Sequence, residues 1–319
     1  MMLTLLLVVG VALVLTVALV PLVRLLMTRL GLVVAPGGRH AHARPTPTAG
    51  GIAIYVAVWA AIVAGSMAVG HWPWHNQGLI GMFFGSLLLF VVCLTDDALN
   101  LPVFPRLFGQ VLVALITWES GVRIVGLSHP IYIHGAGYLQ LGWLSAPLTI
   151  AWIVLLINAV NWLDGLDGLA AGVMGLAAIT FAIMASSSPN VLMWMMAAAL
   201  AAGCLSFLIY NFNPAKIFMG DTGAMFLGYM IACLSIMGAF KTTTAVAMAA
   251  PLLILGVPLY DTVSTLVGRV LRRKSIYSAD RSHLHHRLVD RGLSVRQAVL
   301  VIYGCTAALC LVALGLWSR

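Results

Sequence analysis

The chain has 319 residues, of which 62% are hydrophobic and 8% charged; a soluble domain carries about a quarter charged residues, so a soluble enzyme is excluded and the bilayer is the solvent. The net charge of +8 does not call for a nucleic-acid partner, because loop Lys and Arg in a membrane protein serve topology. Five cysteines (Cys93, Cys204, Cys233, Cys305 and Cys310) lie in apolar runs without CxxC spacing, which disfavours zinc and disulfides and reads as small buried hydrophobes.

Ten apolar runs follow one another near 2–23, 50–69, 79–95, 107–118, 146–163, 169–186, 191–209, 222–240, 245–268 and 297–317. The first is longer than a signal h-region of roughly 7–15 residues and lacks a basic lead, so it reads as an uncleaved span. In the third, Gly81 and Gly85 form a GxxxG step suited to close helix contact. The fourth is short and ends at Glu119. Spans of about 20 residues leave no room for a separate soluble domain. The expectation is one all-α polytopic domain over 1–319.

Ten spans place both termini on one side. The loops 24–49, 96–106, 164–168, 210–221 and 269–296 then share the other side and hold fourteen Lys and Arg, against three (Arg123, Lys241, Arg319) opposite. The positive-inside rule makes the rich side cytoplasmic and puts the termini outside. Segment 119–145 alternates polar and apolar residues in VRIVGL and IYIHGAGYLQL, predicting a short outer-face β-hairpin. Trp72 and Trp74 fit an interfacial belt.

Of nine acidic residues, all but Glu119 fall on the cytoplasmic side or on a helix approaching it. An Asp at mid-bilayer costs about 2.5–3.5 kcal/mol, so carboxylates gathered at span ends need a reason. Asp96 and Asp97 end the third span; their titrations couple, and Arg106 can compensate them or grip a phosphate. A solvated helix end is the plain alternative. Next, Asn158, Asn161 and Asp164 recur every third residue, sharing a helix face, and Asp167 follows between Gly165 and Gly168. A mere turn would seldom need two Asn and two Asp. The run Asn211 to Gly223 contains Gly220-Asp221-Thr222-Gly223, where Asp221 either caps a helix or binds a hard cation. Finally Arg281, His283, His285 and His286 follow Asp280. Without a Cys partner, and among oxygen donors, hydrogen bonding to sugar or phosphate suits them better than zinc.

These motifs, NAVNWLDGLDGLAAG, NFNPAKIFMGDTGAMFLG and DRSHLHHRL together with Asp96-Asp97, resemble the polyprenyl-phosphate N-acetylhexosamine-1-phosphate transferases, nearest the bacterial undecaprenyl-phosphate N-acetylglucosamine-1-phosphate transferases. The resemblance runs from about RPTPTAGG at residue 44 to residue 293. It implies a bacterial plasma-membrane enzyme with its site in the cytoplasmic leaflet. There a polyprenyl phosphate attacks the sugar-bearing phosphorus of a UDP-N-acetylhexosamine, releases UMP and starts an envelope glycan. It further implies Mg2+ (Mn2+ as substitute) at Asp221 with Asn161, the lipid phosphate placed or activated by Asp96 and Asp97, and sugar recognition by His283, His285 and His286. Arg106, Asn158, Asp164, Asp167, Asn211 and Arg281 complete the expected substrate contacts. The partners are thus a UDP-sugar, undecaprenyl phosphate and membrane lipid; whether the chain works as a homodimer is open. The muramoyl-pentapeptide branch has a lysine after the paired aspartates and three consecutive histidines. Ala98-Leu99-Asn100 and His-Leu-His-His stand here instead, which disfavours that branch. Two rival classes are a transporter, suited by Asp261 inside a span beside Pro258, and a non-catalytic scaffold.

Overall fold

A computed structural model describes residues 2–34, 45–70, 72–99, 101–128, 138–187, 190–239, 245–272 and 283–318. Every apolar run folds as helix, since hydrocarbon offers the backbone no partner but itself. In chain order these are α1 (Met2–Arg29), α2 (Gly51–Ala68), α3 (Gln77–Leu99), α4 (Val103–Glu119), α5 (Ser145–Leu163), α6 (Leu169–Ser186), α7 (Val191–Asn211) and α8 (Gly220–Ala239). The ninth run is divided into α9 (Ala245–Ile254) and α10 (Gly256–Leu271); α11 (Leu284–Asp290) and α12 (Val295–Trp317) complete the chain.

Among the described residues eight helices have the length and apolarity to cross a membrane. The shorter ones are α4, with 17 residues, α9, with 10, α10, with 16, and α11, with 7. The division of the ninth run has a local cause. Pro258 has no N–H to give the carbonyl of Ile254, so the ladder fails four residues before it and the chain turns at Leu255.

The two short hairpins are small. Val33–Val34 pairs with Thr46–Pro47 (β1, β2). Within the segment predicted to form a hairpin, Gly126–Ser128 pairs antiparallel with Tyr138–Gln140 (β3, β4), Leu127 facing Leu139; the intervening 129–137 lies outside the described residues.

The central element is α8, buried nearly all round and packed against α2, α3, α5, α6 and α7. A helix apolar on every side belongs inside a bundle. Small residues let its neighbours approach. A methyl on Gly228 would lie 2.6 Å from the Leu156 carbonyl oxygen of α5. One on Gly85, from the GxxxG step, would lie 2.7 Å from the Tyr229 hydroxyl. That hydroxyl is 2.7 Å from the Thr117 hydroxyl of α4, so α3, α4 and α8 are tied at one level. The result is a fixed axis whose N-terminal end carries Asp221.

Candidate active site

The turn that delivers Asp221 is built by a segment from the other end of the sequence. The Phe218 N–H donates to the Pro47 carbonyl (2.8 Å), and the N–H groups of Gly50 and Gly51 donate to the carbonyls of Phe218 and Met219 (2.9 Å each). Gly220 turns with φ +74°, and a methyl there would lie 2.9 Å from the Ala49 nitrogen. Asp221 thus enters the first turn of α8, where the helix dipole favours negative charge.

Three other helices bring polar groups to it. From the last turn of α5, the Asn161 amide donates to Asp221 Oδ1 at 3.0 Å. From the first turn of α4, Arg106 Nη1 lies 2.8 Å from Asp96 Oδ2 on α3 and 3.5 Å from Asp221 Oδ2. The other oxygen of Asp96 accepts the Leu101 N–H at 2.8 Å, so this carboxylate is held from both sides. One guanidinium therefore joins two carboxylates that are 125 positions apart in sequence. Asp97 lies in α3, but its side chain is outside the described residues, as are Asp280 and Arg281 altogether.

Asp164 follows directly on α5 as its C-cap residue. Packing around its carboxyl, then the charges of Asp221 and Asp167, push its pKa up to about 7. Gly168, at φ +78°, ends the turn and starts α6.

The remaining acids and amides act as braces. Asp167 Oδ2 accepts the Asn213 amide and the Ala215 N–H, both at 2.9 Å. Asn211 accepts the Gly168 N–H and donates to the Ile217 carbonyl, both at 3.0 Å. Together they staple the 164–168 turn to the 213–217 loop. Tyr303 and Arg296 of α12 add hydrogen bonds to the carbonyls of Gly168 (2.6 Å) and Asn213 (2.9 Å). Asn158 sits one turn deeper, donating to Gln110 Oε1 at 2.6 Å and to the Val154 carbonyl at 2.8 Å. The structure therefore brings Asp96, Arg106, Asn161, Asp164 and Asp221 together, while Asn158, Asp167 and Asn211 are engaged with protein.

The histidines dock on the same turn. His285 is buried, and a methyl on Gly165 would collide with its Nε2 at 2.2 Å. Neither of its ring nitrogens meets a hydrogen-bonding partner among the described residues. Burial and then His286 lower its pKa to about 3, so it is a neutral imidazole at working pH. The rings of His283 and His285 stack at 5.7 Å, and Trp162, next to Asn161, lies 5.9 Å from His283. The sequence gives Gln110 no distinguishing mark, and although Trp162 and the 46–51 segment lie inside the quoted motifs, nothing in those motifs assigns them a part in this assembly.

Among the described residues no three His, Cys, Asp or Glu side chains form a metal-ligand cluster. Magnesium needs no such cluster; it typically takes one or two protein ligands beside water and substrate phosphate. The Asp221 carboxylate and the Asn161 amide oxygen are a suitable all-oxygen pair. With Asp96 and Asp164 close by and Arg106 the cation that reaches both Asp96 and Asp221, the surroundings favour a hard cation.

A sequence model of glycosyl transferase family 4 matches residues 79–239, which contain Asp96, Arg106, Asn161 and Asp221. A probable undecaprenyl-phosphate N-acetylglucosaminyl 1-phosphate transferase of Bacillus subtilis is 39% identical over 89% of this chain and 76% of its own length. A decaprenyl-phosphate N-acetylglucosaminephosphotransferase of Mycolicibacterium smegmatis is 35% identical over 88% and 74% respectively. A phospho-N-acetylmuramoyl-pentapeptide-transferase of Desulforudis audaxviator is 32% identical over 96% of both chains.

Proposed function

The chain belongs to glycosyl transferase family 4, and from that membership we propose that it transfers a sugar 1-phosphate, N-acetylglucosamine 1-phosphate first among them, from a UDP-sugar to undecaprenyl phosphate. The observation that carries the reading is the hydrogen-bonded and ion-paired array Asp96–Arg106–Asp221–Asn161, assembled from four helices at one end of the bundle. The Bacillus and Mycolicibacterium relatives, both named for N-acetylglucosamine, support the sugar. The distribution of Lys and Arg supports a cytoplasmic site and outer termini.

In the proposed reaction an oxygen of the lipid phosphate forms a bond to the sugar-bearing phosphorus, and the bond from that phosphorus to UMP breaks. Phosphoryl transfer asks for positioning and charge neutralisation rather than covalent help. Asp221 and Asn161 would hold magnesium, which when bound supplies positive charge to the diphosphate. Arg106, fixed by two carboxylates, offers its remaining N–H groups to a phosphate oxygen in fork geometry. A phosphate monoester has a second pKa of about 6 and arrives largely ionised. Asp96 therefore orients Arg106 without having to remove a proton. The neutral His285 and its neighbours face the turn beside Asn161 and suit hydroxyl and amide groups of a sugar.

Purified protein with undecaprenyl phosphate, Mg2+ and labelled UDP-N-acetylglucosamine is expected to release UMP as label enters the lipid phase, both lost with EDTA. Activity with only another UDP-N-acetylhexosamine would correct the sugar alone; a folded preparation silent across the panel would overturn the reading. Arg106→Ala is expected to lower turnover by about 10²-fold or more, the scale of one preorganised donor. Arg106→Lys should recover only part of it, because the fork is lost. His285→Ala is expected to raise KM for the UDP-sugar and leave KM for the lipid nearly unchanged; equal changes would remove His285 from sugar recognition.

A further inference from the structure

We propose that Asp261, the acid lying within the ninth apolar run, is a positioning residue that fixes the tautomer and orientation of His283, so that His283 Nε2 accepts a hydrogen bond from a hydroxyl or acetamido N–H of the sugar. The assignment rests on the transferase reading above only for what Nε2 meets.

Asp261 lies on the inner face of α10 and is 1% exposed. Both its oxygens are used: Oδ2 lies 2.8 Å from His283 Nδ1, and Oδ1 accepts the Leu284 N–H at 2.6 Å. The Thr265 hydroxyl closes the same nitrogen at 3.5 Å. A carboxylate can only accept, so Nδ1 carries a proton, and in the neutral imidazole Nε2 is left as the acceptor. An acceptor nitrogen suits a group that carries hydrogen, and a sugar has such groups where an ionised phosphate has none.

The ring is held on its other sides as well. His283 is 7% exposed. It lies parallel to His285, with an interplanar angle of 12°, and beside Trp162, over whose ring the Arg269 guanidinium stands at 5.6 Å. An imidazole fixed at one nitrogen and packed by two rings keeps one free direction of hydrogen bonding.

Capping the seven-residue helix α11 does not by itself account for Asp261. Ser, Thr or Asn caps a helix equally well without bringing a carboxylate out of water, which is costly even for a paired charge. The break at Leu255 serves the same end, because α10 leaves it with Asp261, Thr262 and Thr265 turned inward while Tyr260, Val263 and Val267 face out. The pairing also supplies Asp261 with a partner and removes the feature that suited a transporter.

Two measurements test this on the full-length protein. Nitrogen-15 histidine NMR without substrate is expected to show one imidazole locked with Nδ1 protonated. That signal should vanish in His283→Ala and lose its lock in Asp261→Ala. A wild-type spectrum without it would overturn the assignment whether or not the protein is a transferase. In kinetics, Asp261→Asn is expected to raise KM for UDP-N-acetylglucosamine by about 10-fold, the scale of one hydrogen bond to a charged group, while KM for undecaprenyl phosphate stays put. Asp261→Asn combined with His283→Ala should be no worse than His283→Ala alone. Losses that multiply would show Asp261 acting independently of His283 and would overturn the proposal. A wild type that releases no UMP from any UDP-sugar would sink the transferase reading, and the spectrum would still decide the Asp261–His283 pair.

Discussion

Asp221→Asn is expected to abolish metal-dependent UMP release, a loss of at least about 10³-fold on the scale of removing a principal charge-stabilising group from phosphoryl transfer, with the purified protein still monodisperse and its thermal midpoint nearly unchanged. The separation follows from geometry. Asn is isosteric with Asp and can still accept the Asn161 amide at its oxygen, so the 3.0 Å contact survives. Arg106 retains its 2.8 Å bond to Asp96, and the backbone cradle of 47–51 against 218–219 uses no side chain of residue 221. What disappears is the negative charge at the start of α8, and with it the longer 3.5 Å ion pair to Arg106. Magnesium titration of residual activity is the direct check. Wild-type turnover by the variant would remove Asp221 from the mechanism, whereas a collapsed thermal midpoint would make its role structural.

The parts of the site that were legible in the sequence share one property: they are charges at the ends of apolar runs. A carboxylate there is expensive, so Asp96, Asp164 and Asp221 stand out in the sequence and point to a site at one end of the bundle. The same rule could not sort ligand groups from braces. Asp167 and Asn211 have the composition of Asp164 and Asn161, yet they hold backbone groups of adjoining loops. An amide or carboxylate at a turn satisfies either role, and only the folded neighbours choose. Asp261 was read as a lone acid in a span because its partner, His283, comes 22 residues later and the run is broken at Leu255. In the sequence Gly165 only marks the turn between Asp164 and Asp167; what its missing side chain provides is the seat of His285. The 46–51 segment was matched as part of a resemblance without a task. Its task is hydrogen bonding to 218–219, which no periodicity in either stretch encodes.

That segment carries the second large effect. Gly51→Ala is expected to lower the thermal midpoint by several degrees and turnover by about 10²-fold, the loss associated with misplacing reacting groups by about 1 Å. A methyl at Gly51 would stand 2.1 Å from the Cα of Gly223 and 2.3 Å from its nitrogen. Both target atoms are backbone, so no rotamer change relieves the overlap, and α2 must part from α8. Overpacking commonly costs about 1–3 kcal/mol, and the parting also pulls on the Gly51 N–H bond to the Met219 carbonyl (2.9 Å). That bond lies two residues before Asp221, so the displacement reaches the carboxylate and its contact with Asn161. Gly10→Ala is the matched control: a methyl there meets nothing within 4 Å, and in the middle of α1 the change should leave activity intact while gaining up to about 1 kcal/mol of helix propensity. A Gly51→Ala protein as stable and as active as wild type would show that α2 and α8 do not meet at these glycines. Stability lost together with turnover, against the turnover-only loss of Asp221→Asn, would place the 46–51 segment as the support that positions the α8 carboxylate without taking part in the chemistry.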